Sequence, residues 1–353
     1  MKVVDMHCDT ISVLLERKRA GESATLRENT GHLDLKRMKE KGYLLQNFAL
    51  YVNKEHCDDP WEEMLALYEV YQKQIAANTD IIAPVIKYND IFTNESLGKM
   101  SAMLTVEEGA VCKGEIEKLR KLYEMGVRML TLTWNYPNEL GYPHCGGIIA
   151  EQTGWQIDRA EAVPERIEQK VPCVDREKQS GVLFGLTERG KEFVTEMEQL
   201  GMLVDVSHLS DAGFYDVLEC TRKPFVASHS NARSICGHSR NLTDDMLRKL
   251  GERGGCTGLN YYVNFLGEGI SAVEKPGSIE AMVRHARHIV NVGGIEVLGL
   301  GSDFDGIDTN EALPGVQSIE LLWNALHKAG FTENELDRIF YKNVLRVYQE
   351  CLK

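Results

Sequence analysis

Short apolar runs recur along the chain, separated by longer stretches in which apolar residues return every three or four positions. The runs predict eight β-strands, at residues 3–4, 44–52, 101–105, 128–133, 202–206, 224–227, 256–262 and 297–300. The stretches between them predict helices, at residues 61–78, 116–125, 188–200, 211–220, 244–253 and 280–292. This alternation favours an α/β fold with a parallel sheet, and eight units favour a closed (β/α)8 barrel of the TIM type. An open, doubly wound sheet is the alternative.

Helix-capping residues and one long irregular stretch refine this outline. Thr187 and Ser210 are typical N-caps, and Gly201 is a typical helix end. Thr332 and Glu335 form the pattern of a capping box at the start of a helical C-terminal tail. Residues 135–186 show little periodicity, and a connection of this length usually carries function or mobility. We therefore expect one domain, 1–353, with a long insertion at about 135–186 on the face that carries the strand ends.

The composition is that of a soluble globular protein, with 43% hydrophobic and 26% charged residues. A formal net charge of -13, with no basic stripe to offset it, argues against nucleic acid or an anionic membrane as a partner. No apolar run approaches the roughly 20 residues that span a bilayer, and the first residues lack the features of a signal peptide. Nine cysteines without a C-x-x-C pair are typical of reduced thiols, so we expect a cytoplasmic protein.

Polar side chains that can bind metals follow five of the predicted strands. They are His7 and Asp9 after the first strand, Glu107 after the third, His208 after the fifth, His229 after the sixth and Asp303 after the eighth. Taken singly, each histidine is more often a hydrogen-bonded loop residue, and Glu107 and Asp303 are also explained as caps of a helix and of a turn. In a (β/α)8 barrel, however, the carboxyl ends of all strands meet on one rim, where chemistry takes place. The coincidence of these residues at one position therefore predicts a shared site.

The first of these segments also shows a polar alternation. If the first strand continues through it, Asp5, His7 and Asp9 project to the same face, and their charges need a compensating cation. Three imidazoles and three carboxylates exceed what one tetrahedral zinc ion needs. They suit two metal ions about 3.5–4 Å apart that share a carboxylate and a water molecule, an arrangement suited to amide hydrolysis. Two of the remaining histidines, His144 and His238, are ambiguous. The others are expected at the surface, namely His32, His56, His285, His288 and His327.

Six short motifs support a family resemblance. The chain contains, in order, DMHCD at 5–9, VEEG at 106–109, LTLT at 130–133, DVSH at 205–208, SHS at 228–230 and GSDFDG at 301–306. Together they resemble the membrane (renal) dipeptidase family of zinc peptidases, and the resemblance covers almost the whole chain. It implies a (β/α)8 barrel of the metal-dependent hydrolase kind that binds two zinc ions, hydrolyses small dipeptides and forms a homodimer.

The resemblance also implies a set of metal ligands and substrate contacts. One zinc ion is expected on His7 and Asp9, the other on His208 and His229, with Glu107 as the bridge between them. Asp303 matches the acidic residue that takes the proton of the attacking water and passes it to the departing amine. Arg240 matches an arginine that binds the substrate, and its planar fork suits the free carboxylate of a dipeptide. Tyr262 is a weaker match to a tyrosine on the substrate side.

Two features depart from the family pattern. Where mammalian members carry a histidine thought to bind the tetrahedral intermediate, this chain has Trp134. An indole N–H can donate one hydrogen bond but carries no charge, so either another group stabilises the oxyanion or the substrate preference differs. Trp134 is still expected to contact the substrate. The 135–186 insertion is also longer than the corresponding loop of the family.

These observations favour a dinuclear zinc dipeptidase that acts on small L,L and L,D dipeptides through a metal-bridging hydroxide. A deacylase of N-acyl amino acids on the same metal site is the alternative, because both kinds of substrate carry a carboxylate. A binding protein without activity predicts a degraded ligand set, and all six positions are intact. An oxidoreductase is disfavoured, because no G-x-G-x-x-G motif follows a predicted strand.

Overall fold

Eight buried parallel strands close into a barrel. The computed structural model describes residues 1–144, 185–267 and 275–353. Its strands are β1 (Val3–Asp5), β2 (Tyr43–Tyr51), β3 (Ile82–Pro84), β4 (Met100–Glu107), β5 (Val127–Thr131), β6 (Leu203–Asp205), β7 (Val226–Ala227), β8 (Cys256–Leu259) and β9 (Leu298–Leu300). The ring runs β1–β2–β4–β5–β6–β7–β8–β9 and returns to β1, with parallel pairing throughout. The predicted (β/α)8 barrel is confirmed, and the doubly wound alternative is wrong.

The additional strand, β3, was not predicted and lies outside the ring. Ile82–Pro84 pairs with the first half of β4, whereas β5 pairs with the second half of β4 from Leu104 onward. The segment has three residues and ends in proline, so its apolar run is too short to stand out in the sequence. β3 therefore pairs with β4 alone, and the barrel closes without it.

Helices surround the barrel and connect its strands. Those in the described part of the chain are α1 (Thr10–Arg19), α2 (Leu35–Glu40), α3 (Pro60–Ala77), α4 (Tyr88–Ser96), α5 (Ile116–Glu124), α6 (Glu188–Leu200), α7 (Asp211–Cys220), α8 (Asp244–Glu252), α9 (Val263–Leu266), α10 (Ile279–Gly293), α11 (Ile319–Lys328), α12 (Glu333–Asp337) and α13 (Asn343–Cys351). The predicted caps are present, since Thr187 accepts the N–H of Gly190 and Ser210 accepts that of Gly213. The capping box of Thr332 also forms, at the start of α12.

Neighbouring residues of a strand divide between two apolar clusters, because successive side chains point to opposite faces. Leu130 of β5 packs with the surrounding helices, whereas Met129 belongs to a smaller cluster inside the barrel. The last helix, α13, packs on this inner cluster with Tyr348, whose hydroxyl is hydrogen-bonded to the side chain of Asn47. Since the interior is filled by side chains, polar groups that can meet a ligand are confined to the rim.

The predicted insertion at 135–186 is described at its two ends only, because residues 145–184 lie outside the described residues. At those ends Gly141 forms a bridge with Leu186, and Pro143 forms one with Leu209 next to the end of β6. The two ends of the insertion therefore meet beside the rim. No helix in the described ranges has the length and apolarity needed to cross a bilayer.

Candidate metal centre

The carboxyl ends of β1, β4, β6, β7 and β9 bring six polar side chains together. Nε2 of His7 lies 3.2 Å from Oδ2 of Asp9, 3.3 Å from Oε2 of Glu107 and 3.8 Å from Oδ1 of Asp303. We refer to the six residues as the floor of the site, and all are less than one-tenth exposed: His7, Asp9, Glu107, His208, His229 and Asp303.

Glu107 stands between two sides of the floor. Its Oε2 atom is 3.3 Å from Nε2 of His7, while its Oε1 atom is 3.0 Å from Nε2 of His208 and 3.5 Å from Nε2 of His229. Each carboxylate oxygen therefore faces a different set of nitrogen atoms. Three overlapping groups have ligand atoms within 4.8 Å of one another, namely His7–Asp9–Glu107, Glu107–His208–His229 and His7–His229–Asp303.

The end of β1 differs from the predicted alternation. The strand stops at Asp5, so the prediction that Asp5, His7 and Asp9 share one strand face is wrong. The Asp5 carboxylate faces the backbone instead, where its Oδ1 atom accepts the N–H groups of His7 and Ser302. Asp5 therefore fastens the end of β1 to the end of β9 and is not a member of the floor.

Two floor residues have left-handed backbone conformations, His208 with φ of 68° and Asp303 with φ of 63°. A residue with a Cβ atom adopts this conformation at a cost of about 1–2 kcal/mol. Such strain persists where the surroundings enforce it and concentrates at functional sites. Here both residues lie three positions after the end of a barrel strand. The carbonyl of His208 accepts the N–H of His144, and the N–H of Asp303 donates to the carbonyl of His7.

The hydrogen bonds of His208 identify its Nε2 atom as a ligand atom. Its Nδ1 lies 2.9 Å from Oδ1 of Asn135, and because an amide oxygen only accepts, Nδ1 carries the proton and donates. Nε2 therefore presents a lone pair, and at 3.0 Å it faces both Oε1 of Glu107 and Nε2 of His229. Acceptors that face each other so closely need a positive charge between them. Oδ1 of Asp9 is also buried and has no hydrogen-bond partner among the described residues.

Burial governs the protonation of the carboxyl groups. It raises the pKa of Glu107 to about 7, although the nearby His7 acts in the opposite direction. Burial likewise raises the pKa of Asp303 to about 6, again opposed by His7. For His7 itself burial disfavours the charged ring, but the carboxylates of Glu107 and Asp9 outweigh this and hold its pKa well above the usual value.

The other two imidazoles are driven toward their neutral forms. Burial lowers the pKa of His208 well below the usual value, and the positive charge of Arg240 adds to the effect. Burial does the same to the pKa of His229, with His7 as the next contribution. Neutral imidazoles and carboxylates are the nitrogen and oxygen ligands that zinc and similar divalent cations accept. The floor residues therefore fit a metal site, and the positive charge of a metal would offset the cost of burying the carboxylates.

The floor opens into a pocket of about 540 Å³, a size typical of small-molecule sites. The three residues predicted to contact substrate, Trp134, Arg240 and Tyr262, all line this pocket. They lie on connections that follow β5, β7 and β8, and we refer to these three lining residues and their connections as the walls.

Arg240 and Tyr262 form one wall. Arg240 is only 4% exposed, its Nη1 donates to Oγ of Ser230 at 3.3 Å, and its backbone N–H donates to Nδ1 of His238. The guanidinium carbon lies 5.3 Å from the ring centre of Phe265, against which Tyr262 packs edge-on at 4.9 Å. A planar, buried guanidinium at a pocket surface is suited to a carboxylate ligand.

Trp134 forms an aromatic wall on another side. Its ring packs edge-on against Tyr51 with centres 5.0 Å apart, and its centre lies 5.7 Å from that of Tyr136 and 6.2 Å from that of His208. The backbone N–H of Trp134 donates to the buried carboxylate of Glu108 at 3.4 Å. This carboxylate fastens the aromatic wall to the end of β4.

Two asparagines of the site were missed in the sequence. The predicted strand 256–262 included Asn260, but β8 ends at Leu259, so Asn260 is the first residue after a strand. Its Nδ2 donates to Oδ2 of Asp303 at 2.9 Å and to the carbonyl of His229 at 3.2 Å. A polar residue immediately after a barrel strand is the signal that could have identified it. Asn135, in contrast, lies in the irregular stretch after β5, and no sequence signal marks it.

The expectation that His285 lies at the surface is wrong. His285 is fully buried in α10, where its Nδ1 accepts the N–H of Ala232 and its Nε2 donates to the carbonyl of Leu266. Burial lowers its pKa to about 4. These bonds join the connection that carries Arg240 to the short helix α9. The ambiguous His144 is also buried, with its Nδ1 2.7 Å from Oγ of Ser239.

Comparison with known proteins adds a family match. Residues 1–144 and 171–352 match the family model described as Membrane dipeptidase (Peptidase family M19). An uncharacterized dipeptidase of Schizosaccharomyces pombe is 28% identical over 379 residues, which cover 99% of this chain and 80% of that protein. An uncharacterized protein of Klebsiella pneumoniae is 32% identical over 251 residues, which cover 70% of this chain and 82% of that protein.

Solved structures share the architecture over nearly the full length. The metallopeptidase described as dipeptidase AC, of family M19, has a TM-score of 0.82 at 25% identity and covers 100% of this chain and 99% of its own. A metallopeptidase from Rhodobacter sphaeroides, solved with a phosphinate mimic of the dipeptide L-Ala-D-Ala, has a TM-score of 0.81 at 24% identity. That alignment covers 99% of both chains.

Proposed function

Because the chain belongs to the membrane dipeptidase family (Peptidase family M19) and is a metallo-dipeptidase, we propose that its metal centre holds two zinc ions and that it hydrolyses small L,L and L,D dipeptides. The observation that carries this proposal is the position of Glu107, whose two oxygens face His7 on one side and His208 and His229 on the other. A carboxylate that faces two sets of ligands is what a pair of metal ions requires.

In this proposal the floor residues divide between the two zinc ions. One ion would be held by His7 and Asp9 and the other by His208 and His229, with Glu107 common to both. When bound, the ions would supply a water molecule of lowered pKa and would polarise the peptide carbonyl. The residues of the chain then have to position the dipeptide, exclude bulk water and move one proton.

We assign the proton transfer to Asp303. Its Oδ1 atom lies 3.8 Å from Nε2 of His7, and its Oδ2 atom is held by the side chain of Asn260 at 2.9 Å. The carboxylate also lines the pocket, within reach of a bound substrate. It can accept the proton of the attacking water and deliver it to the departing amine.

We assign the positioning of substrate to the walls. Arg240 would bind the free carboxylate of the dipeptide, while Tyr262 and Trp134 would contact its side chains, since all three residues line the pocket. The Rhodobacter sphaeroides metallopeptidase was solved with a mimic of L-Ala-D-Ala, which supports a D-residue at the C-terminal position as a substrate of this enzyme as well.

A substrate panel with zinc analysis tests the proposal. Zinc-loaded protein is assayed with L-Ala-L-Ala, L-Ala-D-Ala and N-acetyl-L-alanine, and its zinc content is measured by mass spectrometry. We expect about two zinc ions per chain, cleavage of both dipeptides and little action on the acetylated amino acid. Faster hydrolysis of N-acetyl-L-alanine than of either dipeptide would contradict the proposed substrate class. Less than one zinc ion per chain without hydrolysis would contradict the proposed two-zinc centre.

The family resemblance also leads us to propose a homodimer, and the cysteine pattern of the sequence leads us to propose a cytoplasmic location. Light scattering tests the first proposal, with an expected mass of twice the 39.8 kDa of one chain. Cell fractionation tests the second.

A further inference from the structure

A buried aspartate at the end of β6 lies directly behind the floor. Asp205 is 0% exposed and is not among the residues that line the pocket. Its Oδ1 atom accepts the backbone N–H groups of Ser207 at 3.0 Å and Ser228 at 2.8 Å. Its Oδ2 atom accepts the hydroxyl of Thr131 at 2.7 Å and that of Ser228 at 2.5 Å. A carboxylate, which only accepts, can satisfy all four donors at once.

The hydroxyl of Ser228 connects the Asp205 carboxylate to a floor histidine. Oγ of Ser228 lies 2.7 Å from Nδ1 of His229, with Oγ of Ser207 farther away at 3.3 Å. A serine hydroxyl has one proton, and the short contact assigns that proton to the bond with Asp205. Ser228 therefore accepts from His229, whose Nδ1 carries the ring proton. The lone pair of the neutral ring is then on Nε2, the atom that faces the floor.

The three floor histidines are oriented by different means. His208 donates to the neutral amide of Asn135, and Nδ1 of His7 has no hydrogen-bond partner within the described ranges. His229 differs from both, because its Nδ1 is connected to a buried carboxylate through one hydroxyl group. Partners of this kind fix the orientation and tautomer of metal-binding histidines, and their loss usually lowers metal affinity 10- to 100-fold.

We propose that Asp205, acting through Ser228, is a positioning residue that keeps His229 in the tautomer with a free Nε2 atom and thereby sets the zinc affinity of the centre. The proposal rests on the proposed function for the identity of the metal. Asp205 does not line the pocket, and among the described residues its side chain is hydrogen-bonded to Thr131, Ser207 and Ser228 and to none of the floor residues.

Substitution of Asp205 by asparagine should reverse the direction of the hydrogen bonds. The two backbone N–H groups at Oδ1 can only donate, so the amide oxygen must occupy that place and the NH2 group must replace Oδ2. The NH2 group then donates to Ser228 and Thr131. The hydroxyl of Ser228 is left to donate to Nδ1 of His229, and the ring proton moves to Nε2, where zinc has to displace it.

The test combines nitrogen NMR of the zinc-free protein with zinc affinity measured by competition against a fluorescent chelator. In wild type, the His229 signal, identified by its absence in His229→Gln, should show a protonated Nδ1. In Asp205→Asn it should show a protonated Nε2, and the zinc dissociation constant should rise about 10- to 100-fold. Ser228→Ala removes the connection without adding a donor, so it should give a mixture of tautomers and a smaller rise. Ser228→Ala also tests the proposal if Asp205→Asn does not fold.

Thr131→Val is the matched control, because it removes a hydroxyl donor from the same Oδ2 atom and leaves Ser228 in place. It should lower the unfolding temperature but keep the wild-type tautomer and zinc affinity. An unchanged tautomer and affinity in Asp205→Asn would overturn the proposal. So would an equal loss of affinity in Thr131→Val, since it would indicate a purely structural role. Neither readout uses dipeptide hydrolysis, so a failure of the proposed function would be recognised separately by the substrate panel.

Discussion

The floor and the walls of the site are built in different ways. Among the floor residues, Glu107 is the last residue of β4 and His229 lies two positions after β7, and their partners lie at the ends of neighbouring strands. Wall residues lie on the connections between strands and depend on buried polar groups behind them. Glu108 holds the backbone of Trp134, and His285 ties the connection of Arg240 to α9.

The barrel therefore places the residues for catalysis and the residues for substrate selectivity on different parts of the chain. The floor is a consequence of strand register, so its residues cannot move without loss of the barrel rim. The walls can change while the floor stays in place, because loops tolerate substitution better than strands. We therefore expect floor substitutions to affect metal and turnover, and wall substitutions to affect substrate affinity and preference.

The largest effect is expected for Glu107→Gln. An amide has one acceptor oxygen and no charge, so it cannot serve both sides of the floor. Zinc content should fall below that of wild type, and kcat/KM for L-Ala-L-Ala should fall to the limit of detection. Glu108→Gln is the matched control and should retain its zinc, because the Glu108 carboxylate accepts from Ala110, Trp134 and Asn138, none of which belongs to the floor. Wild-type turnover in Glu107→Gln would contradict the claim that the floor, and not the walls, carries the metal and the reaction.

Asp303→Asn should give the next largest effect. The amide cannot take up a proton, so we expect kcat to fall about 10²- to 10⁴-fold while zinc content stays unchanged. Steady-state kinetics and metal analysis measure the two quantities. Asp305→Asn is the control, since that carboxylate is already engaged by Thr10 and the backbone of His32. If Asp303→Asn turns over at the wild-type rate, Asp303 has no part in the proton transfer.

Arg240→Met should act on binding of substrate. Loss of a hydrogen-bonded ion pair costs about 1.5–3 kcal/mol, which corresponds to a rise of about 10- to 150-fold in KM with a smaller change in kcat. A dipeptide amide, which lacks the terminal carboxylate, provides the comparison. The substitution should leave the kinetics of the amide unchanged. An equal loss for the acid and the amide would contradict carboxylate binding by Arg240.

Trp134→Phe should change preference more than rate. The smaller ring loses part of its contact with Tyr51 near His208, and a difference of this size in a pocket alters discrimination by about 10-fold. The ratio of kcat/KM for a bulky and a small dipeptide measures the effect, with zinc content as the control. A constant ratio across the panel would mean that this wall does not contact substrate side chains.

The smallest effect on activity at neutral pH is expected for His285→Gln, because His285 lies behind the wall and does not line the pocket. Because the folded pKa of His285 is about 4 and an unfolded histidine titrates near 6.5, the unfolded state binds more protons between these values. The stabilisation is complete above about pH 6.5 and is lost as the pH falls toward 4, by at most about 3 kcal/mol. Urea unfolding between pH 7 and 4.5 should therefore show a weaker pH dependence in His285→Gln. An unchanged slope would contradict the buried, neutral histidine.

The barrel and its floor were accessible from the sequence, because both depend on local pattern. Apolar runs of a few residues marked the eight ring strands, and a polar residue shortly after the end of a run marked the floor positions, as with His208 after β6. The exceptions were equally local. β3 was too short to detect, and the predicted strand through residue 262 was too long, which hid Asn260 at its end.

The walls and the supports behind them were not accessible in the same way. Asn135 looks like any loop residue until the barrel brings it 2.9 Å from a histidine 73 positions away. His285 has the sequence context of a surface helix, and its burial follows only from the connections that pack over it. Such roles depend on contacts between distant segments, which no local pattern records.

From its residues alone, the chain specified an eight-stranded alternation and the identity of the polar groups at the strand ends, because periodicity and turn chemistry act over a few neighbouring residues. Folding decided the remainder: which oxygen of Glu107 meets which histidine, which nitrogen of His229 holds its proton, and which loop residues surround the pocket. Those properties arise between groups up to about 300 positions apart, and closure of the barrel is what brings them within hydrogen-bond distance.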